Sequence, residues 1–206
     1  MSKVAITGNA SGTGTLTIAA PNTSTDRTLT LPDNTGTILT NATAGTVLQV
    51  VQSVVSSTVS TSAASVGTFY AVSGLTVSIT PTSASNKILV MLDSNMCTDT
   101  DTDQGVMYQL TRGGSAIYIG NAAGNRSRVT GVAPNGGRAG DFNFVLPKVS
   151  CVFLDSPATT SSTTYGVGVC STSSSRTIYL NRTYSDTDNN YSGRSASSIT
   201  VMEIVA

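Results

Sequence analysis

Histidine is absent from the 206 residues and charge is scarce, with eleven Lys and Arg balancing eleven Asp and Glu. Without imidazole, neither a Ser-His-Asp triad nor a histidine-containing metal site can be built. Zero net charge argues against an electrostatic partner such as nucleic acid or an anionic membrane. No apolar run approaches the ~20 residues of a membrane helix, and none forms a signal-peptide core after Met1. The expectation is therefore a protein made and assembled in a cytoplasm. Three cysteines, Cys97, Cys151 and Cys170, are an odd number and too few for a disulfide scaffold. We read all three as small buried apolar side chains, with Cys151 and Cys170 flanking a predicted hairpin.

What the chain does have is serine and threonine, nearly a third of all positions, and 19 glycines. Abundant Thr and Val with little Leu, Glu or Lys favours strands, because β-branched side chains suit a pleated surface. From Thr46 onward such strands succeed one another: 46–55, 75–79, 87–96, 106–112, 116–120, 142–147, 149–154, 164–170, 176–182 and 197–206. Turn clusters such as Arg112-Gly113-Gly114 punctuate them. This spacing, with no helical periodicity, predicts an all-β sandwich or jelly roll.

Residues 1–45 have a different texture. "LTIAAPN" (16–22) and "LTLPDN" (29–34) form a degenerate repeat, each a short Leu-Thr alternation stopped by a proline that cannot donate to a ladder. The stripe formed by Leu29, Leu31, Ile38 and Leu39 is too thin to order a lone arm. It is expected to pack against other chains, so the predicted organisation is an arm (1–45) and a head (46–206).

Two strands are apolar on both faces. Residues 197–206 carry Ile199, Val201 and Val205 on one face and Met202 and Ile204 on the other. In 46–55, Val47, Val51 and Val55 oppose Leu48, Val50 and Val54. A two-layer sandwich buries one face of each strand. The predicted subunit interface takes Val47, Val51, Ile199, Val201, Glu203 and Val205. Glu203, the only glutamate, would then need a partner such as Arg or Lys.

Other constellations are weak. "DTDTDQG" (99–105) places Asp99, Asp101 and Asp103 at alternate positions, as a calcium loop begins, but Gln104 and Leu110 stand where an EF-hand needs Gly and Glu. These three aspartates are the one weak metal candidate, and no cofactor is expected. "GGSAIYIG" lacks the second glycine of a nucleophile elbow, and no enzyme activity is expected. In "RTIYLNRTYSDTDNNYSGR" (176–194), Arg182, Tyr184 and Tyr191 combine aromatic faces with donors and are candidates to grip a glycan; the alternative is a long loop at a subunit boundary. Arg126 and Arg128 are expected to meet carboxylates of a neighbouring subunit.

The segment "GTLTIAAPNTSTDRTLTLPDNTGTILT" closely resembles one common in structural and tail-fibre proteins of tailed phages, especially cyanobacterial ones. "VSITPTSASNKILVML", "LDSPATTSSTTYGVGV" and "SSITVMEI" resemble the β-rich head that often accompanies it. The resemblance implies a homotrimer on the virion surface, with an attachment arm binding other virion proteins and a distal jelly-roll-like knob. It implies no catalytic residue. Two placements are compatible with it: a capsid decoration (cement) protein, or a short tail fibre touching a host glycan. The short arm leaves little shaft and favours decoration.

Overall fold

A computed structural model of the chain describes residues 11–15, 17, 19, 22–26, 28, 44–63, 65–99, 105–133, 144–173 and 175–206. The chain divides into two units, Met1–Ile38 and Leu39–Ala206. Among the described residues there is no helix, and eleven strands, all in the second unit, form two antiparallel sheets.

The first sheet contains β1 (Val47–Val55), β2 (Val59–Ala63), β4 (Lys87–Thr98), β8 (Lys148–Asp155), β10 (Arg176–Leu180) and β11 (Ser197–Ile204). β4 organises it. One of its sides pairs with β8; the other is shared between β11, along 87–93, and β10, along 96–98. β1 continues the sheet beyond β11, and β2 continues it beyond β10. Asn181 sits at the fork where β10 ends, with a left-handed φ of 62°. Its side-chain amide donates to the carbonyls of Val55 and Ser57, and its Oδ1 accepts from the Ser197 hydroxyl at 2.6 Å. One buried side chain thereby ties the ends of β1, β10 and β11 together.

The second sheet holds β3 (Tyr70–Ile79), β9 (Thr163–Ser171), β5 (Val106–Arg112), β6 (Ser115–Ile117) and β7 (Gly131–Ala133). β9 lies between β3 and β5 and is buried along almost its whole length. Its "YGVGV" run explains how the outer face closes: a Cβ on Gly166 would meet Thr76 Cγ2 at 3.0 Å and Thr111 Oγ1 at 3.4 Å. Neighbouring side chains occupy that space instead. The sheets share one core, with Leu75, Val77, Ile88, Val90, Leu110, Tyr165, Val167, Ile199 and Val201 among its members.

Most of the predicted strands are present, with three differences. β2 and β7 carry too few alternating apolar residues to announce themselves. Residues 144–147 of the expected 142–147 strand are not in a strand, and 142 and 143 lie outside the described residues. The expected hairpin of 149–154 with 164–170 does not form. β8 pairs with β4 in one sheet and β9 with β3 and β5 in the other, so the connection at 156–162 crosses the sandwich.

Candidate interaction surface

Glu203 shows how the C-terminal strand is oriented. Its side chain has no solvent exposure. Oε1 accepts from Asn86 Nδ2 at 2.6 Å, the Thr82 amide at 2.7 Å and the Thr82 hydroxyl at 2.8 Å, while Oε2 accepts from Gln49 Nε2 at 2.6 Å. Burial alone would push this carboxyl up; the hydrogen bonds outweigh it and hold it down at about 2. The expected Arg or Lys partner is replaced by neutral donors from β1 and from the turn between β3 and β4.

This geometry corrects the predicted interface. Ile199, Val201 and Glu203 have zero exposure within a single chain and belong to its core, so they line no contact with another subunit. Val51 packs against the same core. Val205 is half-buried, its N–H bonded to the Thr46 carbonyl, and only Val47 among the six is exposed.

The strands' opposite faces are the open ones. The register aligns Val50, Met202, Leu89 and Leu154 in one row across β1, β11, β4 and β8; Gln52, Thr200, Met91 and Val152 form the next. A third row runs Val54, Ser198, Asp93 and Ser150. Val50 (56%), Val54 (59%), Val152 (59%) and Leu154 (52%) are largely exposed, joined by Leu48. In the middle rows, Gln52 Nε2 donates to Thr200 Oγ1 at 2.8 Å. Charge lies only at the ends, where Lys87 donates to Ser156 Oγ at 2.8 Å and Lys148 pairs with Asp93 at 2.9 Å. Sequence reasoning missed Leu89, Met91, Val152 and Leu154. Their alternation with buried neighbours in 87–92 and 148–155 is the signal that carries them.

The glycan candidates resolve into separate pairs. The Arg182 guanidinium lies 3.9 Å from the Tyr179 ring centroid, donates from Nη1 to Asp186 at 3.0 Å and from Nη2 to the Tyr184 carbonyl. Tyr184 stacks on Tyr179, whereas the exposed Tyr191 meets Phe144 edge-on at 4.6 Å. Arg194 joins Asp186 at 2.7 Å beside a shallow depression lined by Thr187, Asp188, Asn189 and Ser192. Arg182 is thus committed to its own loop; Tyr191 and Arg194 face solvent.

Asp99 closes β4, its amide donating to the Thr177 carbonyl, while Asp101 and Asp103 lie outside the described residues. Leu29, Leu31, Ile38 and Leu39 also lie outside them. Arg126 and Arg128 are exposed and donate to the Ala123 and Gly120 carbonyls of their own loop. The three cysteines are buried and free, as expected of small apolar side chains, and burial pushes Cys97 up to about 12 and Cys151 to about 11, so neither is a nucleophile at neutral pH.

A second buried carboxylate, Asp155, accepts two bonds from Arg112 Nη1 at 2.8 and 2.9 Å and a third from Tyr165 OH at 2.7 Å. Burial and Asp155 together raise the Tyr165 phenol above its ordinary value. The trio pins β5, β8 and β9 across the sandwich. No family model and no curated protein sequence matches the chain.

Proposed function

We propose that this chain is a non-enzymatic structural protein of a tailed-phage particle, acting as a homotrimeric capsid decoration protein. In this reading residues 1–45 are the arm that binds the particle, and the sandwich is a jelly-roll-like head displayed on the virion surface. The observation that carries the reading is the open apolar face of β1, β11, β4 and β8. Val50 and Val54 on β1 and Val152 and Leu154 on β8 leave apolar surface exposed there, as a protein-binding surface does. The buried titratable side chains are engaged in structural roles: Glu203 holds a turn, Asp155 and Tyr165 hold three strands, and the cysteines are packed inside. The phage-like segments at 14–40 and in the head supply the particle context.

A second reading, a short tail fibre whose head touches host glycan, is favoured by the exposed Tyr191 ring and by the polar depression lined by Asp186, Thr187, Asp188, Asn189, Ser192 and Arg194. Copy number separates the two. Quantitative mass spectrometry of purified particles should find hundreds of copies per particle for decoration. A few to a few dozen would favour the fibre, and absence from the particle would overturn both.

A further inference from the structure

We propose that the end of the sandwich from which the arm departs is a second contact surface, seated on an uncharged protein surface of the particle. The inference rests on the reading of residues 1–45 as the particle-binding arm. It names the part of the head that the arm brings down.

Four connections meet at this end. Residues 44–46 lead into β1, 80–86 join β3 to β4, 113–114 join β5 to β6, and 156–162 cross from β8 to β9. The Gly45 N–H bonds the Val205 carbonyl and the Gly113 N–H bonds the Thr164 carbonyl, both at 2.8 Å. Six peptide links separate Ala44 from Ile38, the last residue of the first unit, a reach of at most ~22 Å. The 12 residues of β4 set the opposite end of the sandwich about 36 Å away. An arm anchored on the particle therefore brings this end to the surface and leaves the other end outward.

The chain also fixes the shape of this end. Glu203 and Asp155, the buried carboxylates among the described residues, both lie here, on either side of Ile88 in the sheet register. Glu203 holds the 80–86 turn through Thr82 and Asn86, and Gln49 adds a bond to the Thr80 carbonyl at 2.8 Å. Asp155 holds Arg112, whose Nη1 also donates to the Ser156 carbonyl where the 156–162 crossing begins. Loops fixed before contact lose little freedom on binding, which favours a preorganised surface.

What these loops present decides the partner. "AGT" (44–46), "TPTSASN" (80–86), "GG" (113–114) and "SPATTSS" (156–162) contain no charged residue. A depression at this end is lined by Gly113, Pro157, Thr159, Ser162 and Arg112, whose charge Asp155 balances. Hydroxyls and backbone groups without net charge suit a protein surface of like polarity, not nucleic acid or anionic lipid. Connections at the opposite end differ, with Asp99, Asp101, Asp103, Arg138 and Asp141 in their sequences.

The test adds the full chain to particles lacking it, with one cysteine introduced at a time; the three native cysteines are buried. Ala84→Cys and Thr160→Cys lie exposed at the arm end, Ser65→Cys at the opposite end and Val152→Cys on the open sheet face. Maleimide labelling, read by mass spectrometry, should be lost at 84 and 160 once the protein is particle-bound and unchanged at 65. Bound protein that labels at 84 and 160 as fast as free protein overturns the inference and leaves the arm reading standing. Protection at 65 reverses the orientation, and protection at 152 without 84 and 160 lays the head on its sheet face; either overturns it. A full chain that does not sediment with the particles removes the arm reading and this inference with it.

Discussion

A glutamate sealed from solvent survives only if its lone pairs are filled, and Glu203 fills them with four neutral donors rather than one cation. The carboxyl is held at about 2, below its ordinary 4.5. The stability it contributes is therefore complete above about pH 4.5 and is lost as pH falls toward 2. Glu203→Gln puts an amide N–H against donors from Asn86 and Thr82 or from Gln49, and should cost about 2–3 kcal/mol. Urea titrations at pH 7 and pH 3 check both points: the wild type loses stability between them, and the variant loses less. Val201→Asp belongs at this scale too. Because Val201 is core, the buried charge should unfold the chain, at a cost of several kcal/mol, instead of dissociating a folded one. A soluble monomer with an intact cooperative melt would contradict that placement.

At the scale of elements, strand existence was legible in the sequence and strand partnership was not. Val-rich and Thr-rich alternation announces β1, β4, β5, β8, β9 and β11 directly. Nothing in residues 149–170 states whether the connection at 156–162 turns back into the same sheet or crosses to the other, since a seven-residue loop permits both. The doubly apolar strands pose the same problem. That β1 and β11 are apolar on both faces could be read from their side chains, but which face lies inside could not. Glu203 looked like an outward residue because its cradle comes from Gln49, Thr82 and Asn86, remote in the sequence. The inward face is set by that cradle. The start of β1 carries a prediction of its own. The Gly45 N–H bonds the Val205 carbonyl at 2.8 Å and the Val205 N–H bonds the Thr46 carbonyl at 2.9 Å, closing β1 onto β11. Deleting residues 1–43 spares both bonds and every core residue named above. The remaining 44–206 should melt cooperatively, within a few degrees of the full chain, by differential scanning calorimetry. A broad or absent transition would mean that the arm supports the fold of the head.

At the scale of the whole molecule, the proposed function gives the arm the task of joining the particle. A stripe as thin as Leu29, Leu31, Ile38 and Leu39 cannot by itself offset the ~1–2 kcal/mol per residue needed to order a backbone. Laid along a particle surface, or beside two other arms, it gains partners for its side chains and its strand edges. Tyr191→Ala, on the exposed loop, should leave particle binding unchanged if the protein decorates the shell, with pull-down on host glycan as the comparison. The most direct test adds full-length protein, and separately the 44–206 fragment, to particles lacking the chain, and scores binding by sedimentation. The full chain should sediment with the particles while the fragment stays in the supernatant. A fragment that binds at full stoichiometry, or a full chain that does not bind, would contradict the assignment of the arm to the particle.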